Sequence, residues 1–206
     1  MNRRWLAVAL AALTAGCGYN RIQALDETAS AAQGQIEVQL QRRADLIPNL
    51  VSTVKGYAQH EEEVFNTVAQ ARAGLLGAVN SHDPEQMANA NQQMTSALGR
   101  LLAISENYPN LKADQSFLSL QDNLTGTENR IAVARSDYND AVKAYNAYIR
   151  QFPQVLTAKV TGAKERKYFE VTSSGAREAP KVDFSTPGPA PAAGAGNPKI
   201  PKVPPQ

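Results

Sequence analysis

The sequence predicts an all-α protein: an antiparallel up-and-down four-helix bundle with long helices, plus a disordered Pro-rich C-terminal tail. Three observations lead there. Apolar residues recur three and four positions apart over long stretches, which is the spacing of one helix face turned toward a core. Aromatic residues make up only 6% of the chain while alanine is abundant, a composition that favours a helical body over a sandwich. Turn-forming clusters, above all Asn80-Ser81-His82-Asp83-Pro84, divide the stripes into helix-sized pieces.

The N-terminus reads Met-Asn-Arg-Arg, then the apolar run WLAVALAALTA, then Gly16-Cys17, the order of a basic region, a short apolar region and a small-residue cleavage site. Residues 1–16 are therefore expected to be an export signal peptide. The run is about half of the roughly 20 residues that span a bilayer as a helix. Cys17 is the only cysteine, so it has no internal disulfide partner. Its place after Thr-Ala-Gly resembles a bacterial lipobox, with Thr14 where leucine is usual and Leu13 one position early. Cys17 is thus the expected lipid attachment site and 17–20 the anchor region, which makes a membrane the first expected partner. An uncleaved short anchor is the alternative. Gly18 rather than aspartate follows the cysteine, so the expected location in a Gram-negative cell is the periplasmic side of the outer membrane.

A helical bundle is expected over residues 21–153. Ile22, Leu25, Ala29, Ala32, Ile36 and Leu40 define a first helix from about Arg21 to Arg43, weakened by Gly34. Asp45 is a good N-cap and Pro48 suits a first helical turn, so a helix boundary is expected between Gln41 and Glu61; a proline kink in one long helix is the other possibility. The second helix then runs from Pro48 to Val79 along Leu50, Val54, Phe65, Val68 and Leu75. Asp83-Pro84 opens a third, with the face Met87, Asn91, Met94, Leu98, Leu101 and Leu102, ending near Asn107 before Pro109. A last stripe from Phe117 to Phe152 stops at Pro153, and about 40 residues of helix there would span about 60 Å. Residues 154–172 read as a loop whose Tyr168-Phe169 pair docks on the bundle, and 173–206 as a disordered tail too poor in apolar periodicity to offset its conformational entropy.

The formal net charge is +2, with acidic residues in excess in the body and basic residues in excess after Pro153. An acidic body excludes nucleic acid as its partner and leaves the tail available to anionic surfaces, or simply soluble. Charges that fall on the apolar stripes are the first places to look for function: Glu61, Arg72, Glu128 and Arg135. Glu128 and Arg135 are two turns apart, about 10 Å, so each needs a partner on another helix. A structural network of buried ion pairs is the expected reading, and a ligand or catalytic site the other. The pattern predicts no metal and no cofactor: His60 and His82 lack the Glu-x-x-His spacing of carboxylate-bridged metal bundles. There is no phosphate loop and no nucleophile elbow, so no residue is assigned as catalytic.

Several segments together resemble the LemA family: GCGYN at Gly16–Asn20, QRRADLIPNLVSTVKGYAQHE at Gln41–Glu61, Ala71-Arg72, ENYPNLKA at Glu106–Ala113, TENRIAVARSDYNDAV at Thr127–Val142, Tyr145-Asn146, Phe152-Pro153 and KYFE at Lys167–Glu170. Gln33 and Leu40 depart from it, standing where relatives often carry aromatics. The resemblance implies a membrane-attached antiparallel helical bundle exposed outside the cytoplasm, without an established activity. The expected function is a non-enzymatic, lipid-anchored scaffold or adaptor of the bacterial envelope, with an envelope protein as partner. Neither that partner's identity nor the oligomeric state is encoded in a motif. The rival is an envelope hydrolase using the carboxylates Glu61 and Glu128.

Overall fold

The computed structural model describes residues 3–171, with side chains from Gly18 onward. The side chains of the expected signal peptide, that of Cys17, and the expected tail at 173–206 lie outside the described residues. The described residues hold helices and no strand: α1 (Arg3–Lys55), α2 (Glu62–Ser81), α3 (Pro84–Ile104), α4 (Pro109–Lys112), α5 (Gln115–Arg150) and α6 (Gln154–Thr161), with a 3-10 turn at Ser105–Asn107. No helix among them is long and apolar enough to cross a membrane.

The boundary expected at Asp45-Pro48 is absent, and α1 passes through Pro48 to Lys55. Two effects outweigh the local preference of proline. The buried stripe of α1 continues in phase across it, through Leu40, Ala44, Ile47, Leu50 and Val54, so ending the helix would forfeit that burial. Proline also leaves the carbonyl four residues back without its intrahelical donor. That carbonyl belongs to Ala44, and Arg72 of α2 donates its Nε–H to it at 2.8 Å. The chain turns instead at Gly56–Glu61, where Tyr57 donates its hydroxyl proton to Asp114 at 2.9 Å. Asp114 also accepts from the Phe117 amide as the N-cap of α5, so one carboxylate ties the turn to the start of the longest partner helix.

Asp83 caps α3 through the Glu85 and Gln86 amides with Pro84 in the first turn, as the sequence predicts. The third helix ends at Ile104 rather than near Asn107, its last residues tightening into the 3-10 turn. Contacts along α1 and α5 run in opposite senses: Ile22 packs with Tyr145 and Ile149, Gln39 meets Arg130, and Tyr57 meets Asp114. These two helices are therefore antiparallel, and the α2–α3 hairpin packs on them, chiefly through α2 against α1. The main core joins all four long helices, with Leu40, Leu50, Leu75, Met87, Met94, Leu101 and Phe117 fully enclosed. Gln33, the departure noted in α1, donates to the His82 carbonyl at 2.9 Å and so holds the α2–α3 turn.

A second, smaller cluster of Ile22, Tyr145, Ile149 and Ala158 sits where the early part of α1, the end of α5 and α6 meet. Its existence corrects the loop expected at 154–172, because residues Gln154–Thr161 form α6. Pro153 precedes the helix and Gly162 ends it with a φ of 74°, a left-handed conformation that glycine adopts without steric cost. After α6 the chain is an irregular strap over residues 163–171, whose Phe169 is buried in the main core with Tyr168 packed beside it.

Candidate functional site

Among the described residues, Arg43 is the charged residue that the fold encloses most completely. It follows Leu40 by three residues and precedes Ile47 by four, so a helix that continues through Pro48 turns it onto the core-facing stripe. Only 4% of it is exposed. Its Nη1 donates to Asn91 Oδ1 at 2.6 Å, its Nη2 donates to Thr95 Oγ1 at 3.1 Å, and it forms an ion pair with Glu128. Asn91 and Thr95 lie one turn apart on α3 and Glu128 on α5, so a single guanidinium joins three helices. Burial pulls the Arg43 guanidinium below its ordinary value, with the Glu128 carboxylate acting in the opposite sense. Its buried Nε has no acceptor among the described residues.

The four charges singled out from the sequence do not assemble into one network. Glu128 joins Arg43, Arg72 serves the Ala44 carbonyl, and Glu61 stands at the start of α2 within 3.5 Å of the Tyr108 hydroxyl. Arg135 is exposed. Glu61 and Glu128 thus have different partners, and neither lines the groove of about 550 Å³ between α1 and α5. Ending the first helix at Arg43 hid its role. The polar Asn91 on an otherwise apolar α3 face was the visible signal that something polar had to meet it.

The second polar assembly fastens the strap to α5. Asn146 accepts from the Arg166 amide and donates to the Arg166 carbonyl, both at 2.9 Å. Asn139 repeats the arrangement with Phe169, at 2.9 Å and 3.4 Å. Each carboxamide thereby satisfies both backbone groups of one residue that has no secondary structure to do so. Tyr138 donates its hydroxyl proton to the Lys167 carbonyl at 2.8 Å, and burial pushes its pKa up to about 12. Arg166 reaches α1, donating to Asp26 at 2.7 Å and Ser30 at 2.6 Å, with its guanidinium over the Tyr145 ring. The repeated Tyr-Asn pair, Tyr138-Asn139 and Tyr145-Asn146, is legible in the sequence as a seven-residue period and could have marked this clamp.

Lys167 extends the strap to the start of α3, with Nζ at 2.9 Å from Asp83 and 3.5 Å from Glu85. Its hydrogen bond holds the Asp83 carboxyl below the usual carboxylate range, partly opposed by burial, and raises the Lys167 ammonium in turn. A carboxyl with a depressed folded-state pKa contributes stability above its unfolded value and loses it as pH falls through the folded value. Asp83→Asn keeps a capping side chain but discards the pairing charge. The stability difference between the parent and Asp83→Asn is therefore expected to be constant at neutral pH and to shrink below the unfolded value of 3.8. Thermal unfolding of both proteins across the acid range measures it, and a difference independent of pH would contradict the pairing.

The LemA family's sequence model matches residues 32–184, most of the chain. The chain belongs to the LemA family. Arg43, Asn91, Glu128 and both clamp asparagines lie within that LemA match, whereas Gly18, Ile22 and Asp26 precede it. Two relatives from Paramagnetospirillum magneticum, magnetosome proteins MamQ 1 and MamQ 2, are each 29% identical over 180 residues, 76% of this chain and 66% of the relative. Magnetosome protein MamQ of Magnetospirillum gryphiswaldense is similar to the same extent. Protein LemA of Metamycoplasma hominis is 25% identical over 122 residues, 59% of this chain and 54% of the relative. The chain thus spans just under two thirds of the length of the MamQ relatives.

Proposed function

We propose that this LemA family member is a non-enzymatic scaffold of the bacterial envelope, anchored through its N-terminal segment and acting through protein contacts. In this reading α1, α2, α3 and α5 are the antiparallel up-and-down four-helix bundle that carries the contact surface. The observation that carries it is the use made of the interior polar groups. Arg43, Glu128, Asn91 and Thr95 are spent on one another across three helices, and Arg72 on the backbone of α1. Side chains committed to holding helices together are poor acids, bases or nucleophiles, which need an open path to substrate. The MamQ relatives are named for a cellular structure, not for a reaction, and this supports the same reading.

Anchoring is proposed at Cys17, where the apolar N-terminal run gives way to Gly18 and the polar part of α1. A multiply acylated N-terminal cysteine supplies by itself the more than one chain that stable attachment requires. Cys17→Ser is expected to move the protein from the membrane fraction to soluble or unprocessed fractions and to remove the mass of the lipid. Unchanged fractionation and unchanged mature mass would refute lipid anchoring. Crosslinking in intact cells, with identification of what is captured, tests the scaffold role itself; failure to capture any envelope protein reproducibly would count against it.

A further inference from the structure

The helix α6 is amphipathic in the wrong sense. A surface helix normally buries its large apolar residues and exposes small or polar ones. Here Ala158 is the buried residue, packed against Ile22, Tyr145 and Ile149, while Leu156 and Val160 on the opposite face are 55% and 89% exposed. Phe152, just before the helix, is 81% exposed. Three of the largest exposed apolar side chains of the described body therefore lie within nine consecutive positions, and Tyr19 at the same end is exposed as well. Exposed Lys159 and Lys164 flank the patch, with Arg150 and its neighbour Glu165 at the margin.

The position of the patch decides between occupants. α6 crosses α1 at Gly18, where an added β-carbon would stand 3.6 Å from the Thr157 hydroxyl and 3.9 Å from Gln154. The residue before Gly18 is Cys17, and the apolar N-terminal run lies immediately beyond it. An apolar face with a basic border, set beside the point where the chain is proposed to join a membrane, fits the chemistry of an interfacial helix on anionic lipid. We propose that the outward face of α6, Leu156 and Val160 together with Phe152, rests in the headgroup region of an anionic phospholipid bilayer and makes a second membrane contact beside the N-terminal attachment. The inference rests on the anchoring reading above. It further implies that the body is held at a fixed attitude to the membrane rather than tethered freely.

The test uses the full chain, purified from membranes and reconstituted into vesicles of phosphatidylcholine with a minority of phosphatidylglycerol. Processing before Cys17 removes Trp5, the only tryptophan, so the mature protein is a tryptophan-free background. Leu156→Trp, Val160→Trp and, as a control on the exposed α1 surface, Val38→Trp are then placed singly in that background, with helical circular dichroism confirming folding. Lipids with brominated acyl chains report contact by quenching. The expected result is a blue-shifted emission and several-fold stronger quenching at positions 156 and 160 than at 38, reduced when phosphatidylglycerol is omitted. Equal, weak quenching at all three positions on vesicles that the protein accompanies in flotation would overturn the α6 contact and leave anchoring intact; it is also the result expected if another protein covers the face. Quenching unchanged without phosphatidylglycerol would overturn the assignment to an anionic surface. Failure of the protein to float with vesicles would remove the anchoring reading, and the α6 contact with it.

Discussion

Glu128→Leu is expected to cost about 3–5 kcal/mol of folding stability, more than Arg43→Met, although both remove the same ion pair. The asymmetry follows from burial. Without Glu128, the Arg43 guanidinium is left inside the protein with only the neutral acceptors Asn91 and Thr95. Without Arg43, the Glu128 side chain, 44% exposed, can turn its buried Oε2 out to water, and Met fills most of the vacated volume. Asn91 and Thr95 are also outside the fully buried set and can rehydrate. The double variant Arg43→Met with Glu128→Leu should recover most of the loss, since no charge is then left stranded. Denaturant midpoints at constant slope measure all three proteins. Equal costs for the two single variants, adding in the double, would show that the guanidinium is already hydrated and that the pair does not join the helices.

Pro48→Ala is expected to stabilise the protein by up to about 3 kcal/mol, because an exposed proline in a helix interior is replaced by a residue that restores the missing donor. Arg72→Met should do the opposite. It leaves the carbonyl of the fully buried Ala44 without a partner, at a cost of about 1–3 kcal/mol. The two effects are coupled through one oxygen atom. In the Pro48→Ala background the new amide reaches that carbonyl, so the cost of Arg72→Met should fall sharply. A double-mutant cycle by denaturant unfolding reads the coupling directly. A cost for Arg72→Met that is the same in both backgrounds would mean that the arginine stabilises α2 by some other contact.

Helicity, the Asp83-Pro84 start of α3 and the stripe from Phe117 to Ile149 were legible because each rests on neighbours in sequence. What escaped sequence reading rests on distant partners. Pro48 is tolerated because of Arg72, which lies on the next helix, so the local rule gave a break where tertiary contacts supply the missing hydrogen bond. Arg43 was hidden by the same error, since its place on the buried face appears only once the helix is carried through the proline. α6 escaped for another reason: its apolar residues point away from the core, and periodicity analysis looks for the reverse. The clamp joins Asn139 to Phe169 and Asn146 to Arg166, pairs that only the folded chain brings together.

The clamp also acts as a gauge of length. Asn139 and Asn146 are seven helical residues apart, about 10.5 Å of rise, and the drift around the axis over seven residues is only about 20°. Their partners Phe169 and Arg166 are three residues apart in the strap, which can span about 10 Å only when that stretch is drawn out. Two different backbone geometries thus come into coincidence at both ends of the same interval. Side chains between the two asparagines are free to vary as far as the core allows, but the number of residues between them is not. One residue more or fewer would swing one carboxamide by about 100° around α5, so that only one rung could engage at a time.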